Sequence, residues 1–262
     1  MGHERLGILP KTKKWNAIVE QISNFENNTI QSKEIIESTL SNIQNQLSKL
    51  LNDKSIVESF KLLVLLSYSF HSEEYKNQVF ETYNINISNN INLTDLSKIL
   101  NGYLEDKYIS LEYHNFAKNA LLNSIFQWYN DNNIKNYSLF EDNEQNDIVW
   151  KNAGKGSGFC ELSRLYFSNL TENYLNYFLE RAASANIENI SIREKFNFEI
   201  KKHIEEISKY AFESSKITQS FAAGWFNKNI KKAIPSTQSI KSFLDYALKK
   251  MREEFRREKS NL

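Results

Sequence analysis

Apolar residues recur at helical spacing along most of the chain. Trp15, Ile18, Val19 and Ile22 predict a short amphipathic helix behind the basic Lys11-Thr-Lys-Lys14. A second helix is expected over Thr29 to Leu51, with Ile30, Ile35 or Ile36, Leu40, Ile43 and Leu47 on one side. Asn52-Asp53 interrupts it, and Asp53 can cap a third helix running to about Phe70. The apolar run of that helix, Leu62 to Leu66, suits a buried core and is far short of the ~20 residues that span a bilayer. An Asn-rich loop follows over 84–92. Thr94 or Asp95 then opens a helix expected to end at the C-cap pair Asn101-Gly102. Phe116, Ala120, Leu121, Ile125, Trp128 and Tyr129 mark the next one.

From Asn130 to Asp147 the period is lost and the chain turns polar and acidic, which makes this the expected boundary. Ile148-Val-Trp150 anchors the return, and Ala153 to Gly158 forms one glycine-rich loop. Phe159 to Ala185 reads as a long helix with a broad apolar face. Another is expected from about Ile192 to Ile207, continuing into Ser208 to Ile230. That last stretch mixes small residues with large aromatics and is read as the central helix. Ile207, Ala211, Ser214, Ile217 or Thr218, Phe221 and Trp225 share its core face, and Ser220, Ala223 and Gly224 form a low ridge for a neighbouring backbone. Pro235 ends the run, and Ser236 can cap a final helix with a stripe through Ile240, Phe243 or Leu244, Ala247, Met251 and Phe255.

The pattern predicts an all-α protein, an irregular bundle of roughly eight to ten helices in one or two halves. The expected division is an N-terminal helical half with an extended arm (1–130), a polar and Gly-rich connection (131–157) and a C-terminal helical half (158–262). Composition agrees. The chain is 40% hydrophobic and 13% aromatic, so it can build a core, and two prolines and seven glycines leave long helices undisturbed. Its single cysteine, Cys160, excludes an internal disulfide framework and a multi-cysteine zinc site. With no apolar signal segment in Met1 to Trp15, a cytoplasmic protein is expected. Net charge is +1 but uneven: residues 1–147 hold 13 Lys/Arg against 19 Asp/Glu, and 148–262 hold 20 against 13. Such asymmetry suits nucleic acid, an acidic partner, or mutual attraction of the halves.

Chemistry is harder to find. Gly154-Lys155-Gly156-Ser157-Gly158 lacks the G-x-x-x-x-G-K-[ST] order of a nucleotide-binding loop. A milder reading keeps Lys155, Gly156 and Ser157 as an anion site at a helix N-terminus, and the bland one is a flexible connection. Glu199, His203 and Glu206 share a helical face, yet no Glu-x-x-His repeat completes a bridged metal site, so no metal or cofactor is expected. Cys160 falls in the first turn of the long helix, where the dipole lowers a thiol's pKa, but no base is nominated beside it. Contact residues are clearer. The arm offers Leu6, Ile8, Leu9, Lys13, Lys14 and Trp15, and the aromatic-basic group offers Trp225, Phe226, Lys228, Lys231 and Lys232. These suit a protein partner, or bases and phosphates; the bland readings are a frayed terminus for the arm and, for the second group, core packing of Trp225 with lysines that satisfy a helix C-terminus.

Three stretches, GHERLGILPKTKKW, GFCELSRLYFSNLTENYLNYFLERAAS and AFESSKITQSFAAGWFNKN, together resemble a group of small bacterial proteins associated with genomic defence islands. The group supplies no catalytic motif to carry over. The resemblance implies work beside an enzyme encoded nearby, an ATPase or a nuclease. The leading expectation is a non-catalytic helical subunit or adaptor of a bacterial anti-phage assembly. Alternatives are a nucleic-acid-binding protein using the basic second half, and an enzyme with a site gathered from residues such as Glu161, Glu180, His203 and Glu213.

Overall fold

Polar side chains at the helix starts set most of the element boundaries. In the computed structural model, which describes residues 12–25, 31–39, 42, 53–88, 91–106, 113–135, 142–214, 216–231 and 233–260, Thr12 caps α1 (Lys13–Asn24) by accepting from the Trp15 amide at 3.2 Å. The second helix, α2, covers residues 32–39. Asp53 starts α3 (Lys54–Ser69), its carboxylate accepting from the Ser55 amide at 2.8 Å, and Ser72 starts α4 (Glu73–Tyr83) in the same way. Asn84 closes α4 in the left-handed region at φ 55°, a conformation asparagine tolerates. Asn92 caps α5 (Leu93–Asp106) through the Asp95 amide. The chain continues as α6 (His114–Lys135), α7 (Asp142–Ala153) and α8 (Gly156–Asn186). Asn189 caps α9 (Ile190–Ser214), α10 is Lys216–Asn229, and Ser236 caps α11 (Thr237–Ser260). Among the described residues there are eleven helices and no strand, so the fold is all-α, and none of these helices is long and apolar enough to cross a membrane.

Two helices are buried nearly all round. From Ser55 to Ser69, α3 turns only Glu58 partly outward, so its apolar run forms the core, as the sequence suggests. The other is α8, which packs against α6, α9 and α10 and also touches α1, α3 and α7. It, and not the stretch 208–230, is the element the others surround. Phe60 on α3 meets Phe159, Tyr166 and Phe167 of α8 and stacks on Phe243 of α11. The hydroxyls of Tyr166 and Ser59 lie 2.6 Å apart and both reach the Ile56 carbonyl, which satisfies the polar atoms of this buried joint. One continuous apolar cluster runs from Trp15 to Leu248, so both halves of the sequence contribute to a single core.

Four local expectations change. The helix expected to stop at Asn101-Gly102 runs on to Asp106, leaving Gly102 exposed in its interior. The polar stretch after Asn130 is mostly helical: α6 reaches Lys135, and α7 seats Val149 and Trp150 in the core, where the Trp150 indole donates to the Ile91 carbonyl at 3.0 Å. The anchors of α7 are Val149, Trp150 and Ala153, at the end of a stretch whose acidic composition suggested a loop. Among the described side chains of α10, Ala222 and Phe226 are the buried ones, one position round from the expected Phe221 and Trp225, which are half-buried against the core; the side chains of Ile207, Ala211 and Ser214 lie outside the described residues. Gly224 is exposed with open space where a side chain would be, so it receives no neighbouring backbone. Of the helix expected over 29–51, residues 32–39 and Asn42 are helical and the rest lies outside the described residues.

Candidate binding cleft

The stretch expected as a glycine-rich loop is a tight joint between two helices, since Ala153 ends α7 and α8 already begins at Gly156. A side chain on Gly158 would lie 2.0 Å from the Asn152 carbonyl oxygen, and one on Gly154 would lie 2.5 Å from the Phe70 backbone. His71 completes the joint, its Nδ1 lying 2.8 Å from the Gly154 oxygen, and Tyr75 donates its hydroxyl hydrogen to the Ile230 carbonyl. Gly156 faces the Asn227 side chain, so the structure brings two groups named from sequence to one end of the bundle: Lys155, Gly156 and Ser157 with Trp225, Phe226, Lys228 and Lys231. Phe226 is 0% exposed and stacks on Phe159, and half-buried Trp225 stacks on Phe159 as well. Lys155, Ser157, Lys228 and Lys231 are exposed. Trp15 is 2% exposed and its ring packs edge-on against Phe178, whereas Lys13 and Lys14 face solvent. Leu6, Ile8, Leu9 and Lys232 lie outside the described residues.

The other candidate groups are dispersed. Glu199 pairs with Lys195 at 3.9 Å and His203 Nδ1 lies 3.4 Å from Glu206, contacts within one helix face, and among the described residues no three metal-binding side chains come together. Burial pushes the Cys160 thiol up to about 11; Arg164 lowers it only in part and Glu161 adds to the rise. The helix dipole expectation loses to desolvation, and such a thiol is a poor nucleophile near neutral pH.

A polar cleft of about 480 Å³ opens instead between α6, α8 and α9. Its floor is the outward stripe of α8, Arg164, Ser168 and Glu172 at i, i+4 and i+8, with Leu165 and Asn169 beside them. One wall is α6, presenting Asn123, Phe126, Gln127, Asn130 and Asp131, and the other is α9, presenting Lys201 and Glu205. The Asn169 amide group donates to Ser124 Oγ at 3.2 Å and to the Leu165 carbonyl at 2.9 Å, which ties the floor to α6. Lys201 sits 3.9 Å from Glu172 and Arg164 sits 3.9 Å from Glu161, close enough for attraction but too far for a direct hydrogen bond. None of these floor and wall residues was named from sequence as a site residue. The signal existed as three separate i, i+4 polar stripes, but only the assembled bundle sets them face to face.

Burial holds the Glu172 carboxyl above the usual carboxylate range; Lys201 pulls it back, and Glu205 and Glu180 push it further up. A native value above the unfolded one means that the neutral carboxyl favours the folded state. That contribution is whole below the ordinary 4.5 and disappears as pH rises through the raised native value. Glu172→Gln cannot ionise. It should match the parent at about pH 4 and melt at a higher temperature at about pH 7, which thermal denaturation at the two values checks. A lower melting temperature at neutral pH would show that the Lys201 contact outweighs burial. Comparison with protein-family models, with curated proteins and with solved structures finds no match for this chain.

Proposed function

We propose that this protein is a non-catalytic helical subunit that works by binding a protein partner, and that the outer face of α9 is where it docks. One observation carries the reading. Ile190 and Phe198 are 63% and 71% exposed, and they fall on the same face of α9 as Glu194, Lys201 and Glu205. A large aromatic held in water on a regular helix costs solvation and contributes nothing to the core, whereas buried under a partner it becomes an anchor. The mixed charges beside it, Glu194, Lys201 and Glu205, suit the polar rim of such a contact. The resemblance to proteins of defence islands supports a bacterial anti-phage assembly in which the partner is an ATPase or nuclease encoded nearby.

Co-expression with the products of adjacent genes tests this. The parent protein should co-elute with one of them, and Phe198→Asp should weaken that association by at least tenfold while leaving the melting temperature unchanged. A protein that stays alone with every neighbour, or a variant that binds as well as the parent, contradicts the reading.

A further inference from the structure

We infer that the cleft between α6, α8 and α9 is a binding site for a neutral sugar ring. The site borders the proposed docking face, with which it shares Lys201 and Glu205, but it is built mainly on α6 and α8 and does not use Phe198. Its volume of about 480 Å³ lies within the range of small-ligand pockets. Asn123, Gln127 and Asn130 stand at i, i+4 and i+7 on α6, and none of the three side chains makes a hydrogen bond to another described residue. Each carboxamide holds an acceptor and a two-hydrogen donor side by side. Vicinal hydroxyls offer the complementary pair, because each hydroxyl both donates and accepts.

The floor continues the same chemistry. Ser168 is 8% exposed, opens into the cleft and has no hydrogen-bond partner among the described residues. Asn169 spends its donors on Ser124 and Leu165, so its carbonyl oxygen remains as an acceptor. Beside these groups Phe126, 37% exposed, supplies a flat apolar surface on which the C–H face of a sugar ring can rest. Charge argues against an anion. Arg164 and Lys201 each face an acid, and Asp131, Glu172 and Glu205 outnumber them, so a phosphate or carboxylate gains little here. A nucleobase prefers flanking flat surfaces, and the lining holds one ring only.

The test is saturation-transfer NMR on the full chain with glucose, galactose, mannose, N-acetylglucosamine, maltose and cellobiose, with adenosine and glucose 6-phosphate as competing chemistries. At least one neutral sugar should show transfer, weakened about tenfold or more by Gln127→Ala combined with Asn130→Ala and also weakened by Phe126→Ala. Partly or fully exposed, these positions leave the fold intact, which circular dichroism checks. Absence of transfer from every sugar, transfer that the variants leave unchanged, or a preference for adenosine or the phosphorylated sugar overturns the proposal.

Discussion

Gly158→Ala should destabilise the protein by about 3 kcal/mol, near the upper end of what overpacking a well-filled site costs, and lower its melting temperature by about 10 °C. The new methyl group would sit 2.0 Å from the Asn152 oxygen, 2.8 Å from its carbonyl carbon and 3.0 Å from the Ala153 Cα, all backbone atoms. That backbone cannot easily give way, because the Asn152 carbonyl accepts from the Lys155 amide at 3.1 Å and the Gly154 amide donates to Trp150 at 3.2 Å. Gly154→Ala meets backbone too, at 2.5 Å, and should cost less than Gly158→Ala but clearly more than Gly156→Ala. At Gly156 the obstacle is the tip of the exposed Asn227 side chain, which can rotate. Gly224→Ala should have the opposite sign, adding about 0.5–1 kcal/mol, since its position is helical, exposed and open. Melting curves of the four variants give the order. Tolerance of alanine at Gly158 would return the loop to the flexible connection that its glycines first suggest.

Phe60→Ala should cost about 3–5 kcal/mol, the range for emptying an aromatic site in a core. Its ring joins α3, α8 and α11 at once, with centroids 5.2 Å from Tyr166, 5.5 Å from Phe167 and 5.3 Å from Phe243. The helices around it are tied by their own contacts and can close the void only in part, so the cavity persists. Phe198→Ala is the matched control: the same truncation on an exposed ring should change stability by less than about 0.5 kcal/mol. Urea titration of both variants checks the contrast. Equal losses would mean that the interior is not held by the aromatic joint between α3 and α8.

Much of the scaffold was legible in the sequence because its signals are local. The caps at Asp53 and Ser236 depend only on a polar side chain reaching an amide two or three residues on, and both form as expected. The buried character of α3 follows from its own apolar run. What depended on tertiary arrangement was not legible. The small and aromatic residues of 208–230 suggested a central helix, but burial is decided by what surrounds an element, and α8 is the helix that the most neighbours pack against. Gly224 looked like room made for a neighbour, whereas Gly154 and Gly158, in a stretch that looked loose, are held against backbone with no room for a side chain. The cleft escaped for a similar reason. Arg164, Ser168 and Glu172 sit among aromatics that dominate the reading of that helix, and nothing in one helix says which polar stripe will face it.

Phe198 is the feature most favourable to a binding subunit. Site-specific photo-crosslinking decides most directly whether the protein acts by docking. A photoreactive phenylalanine analogue placed at position 198, and separately at Phe80, an exposed aromatic on α4, is irradiated in cells expressing the adjacent genes. The account predicts one discrete crosslinked product from position 198, identified as a neighbouring gene product, and none from position 80. No product at 198, or the same products from both positions, would contradict it.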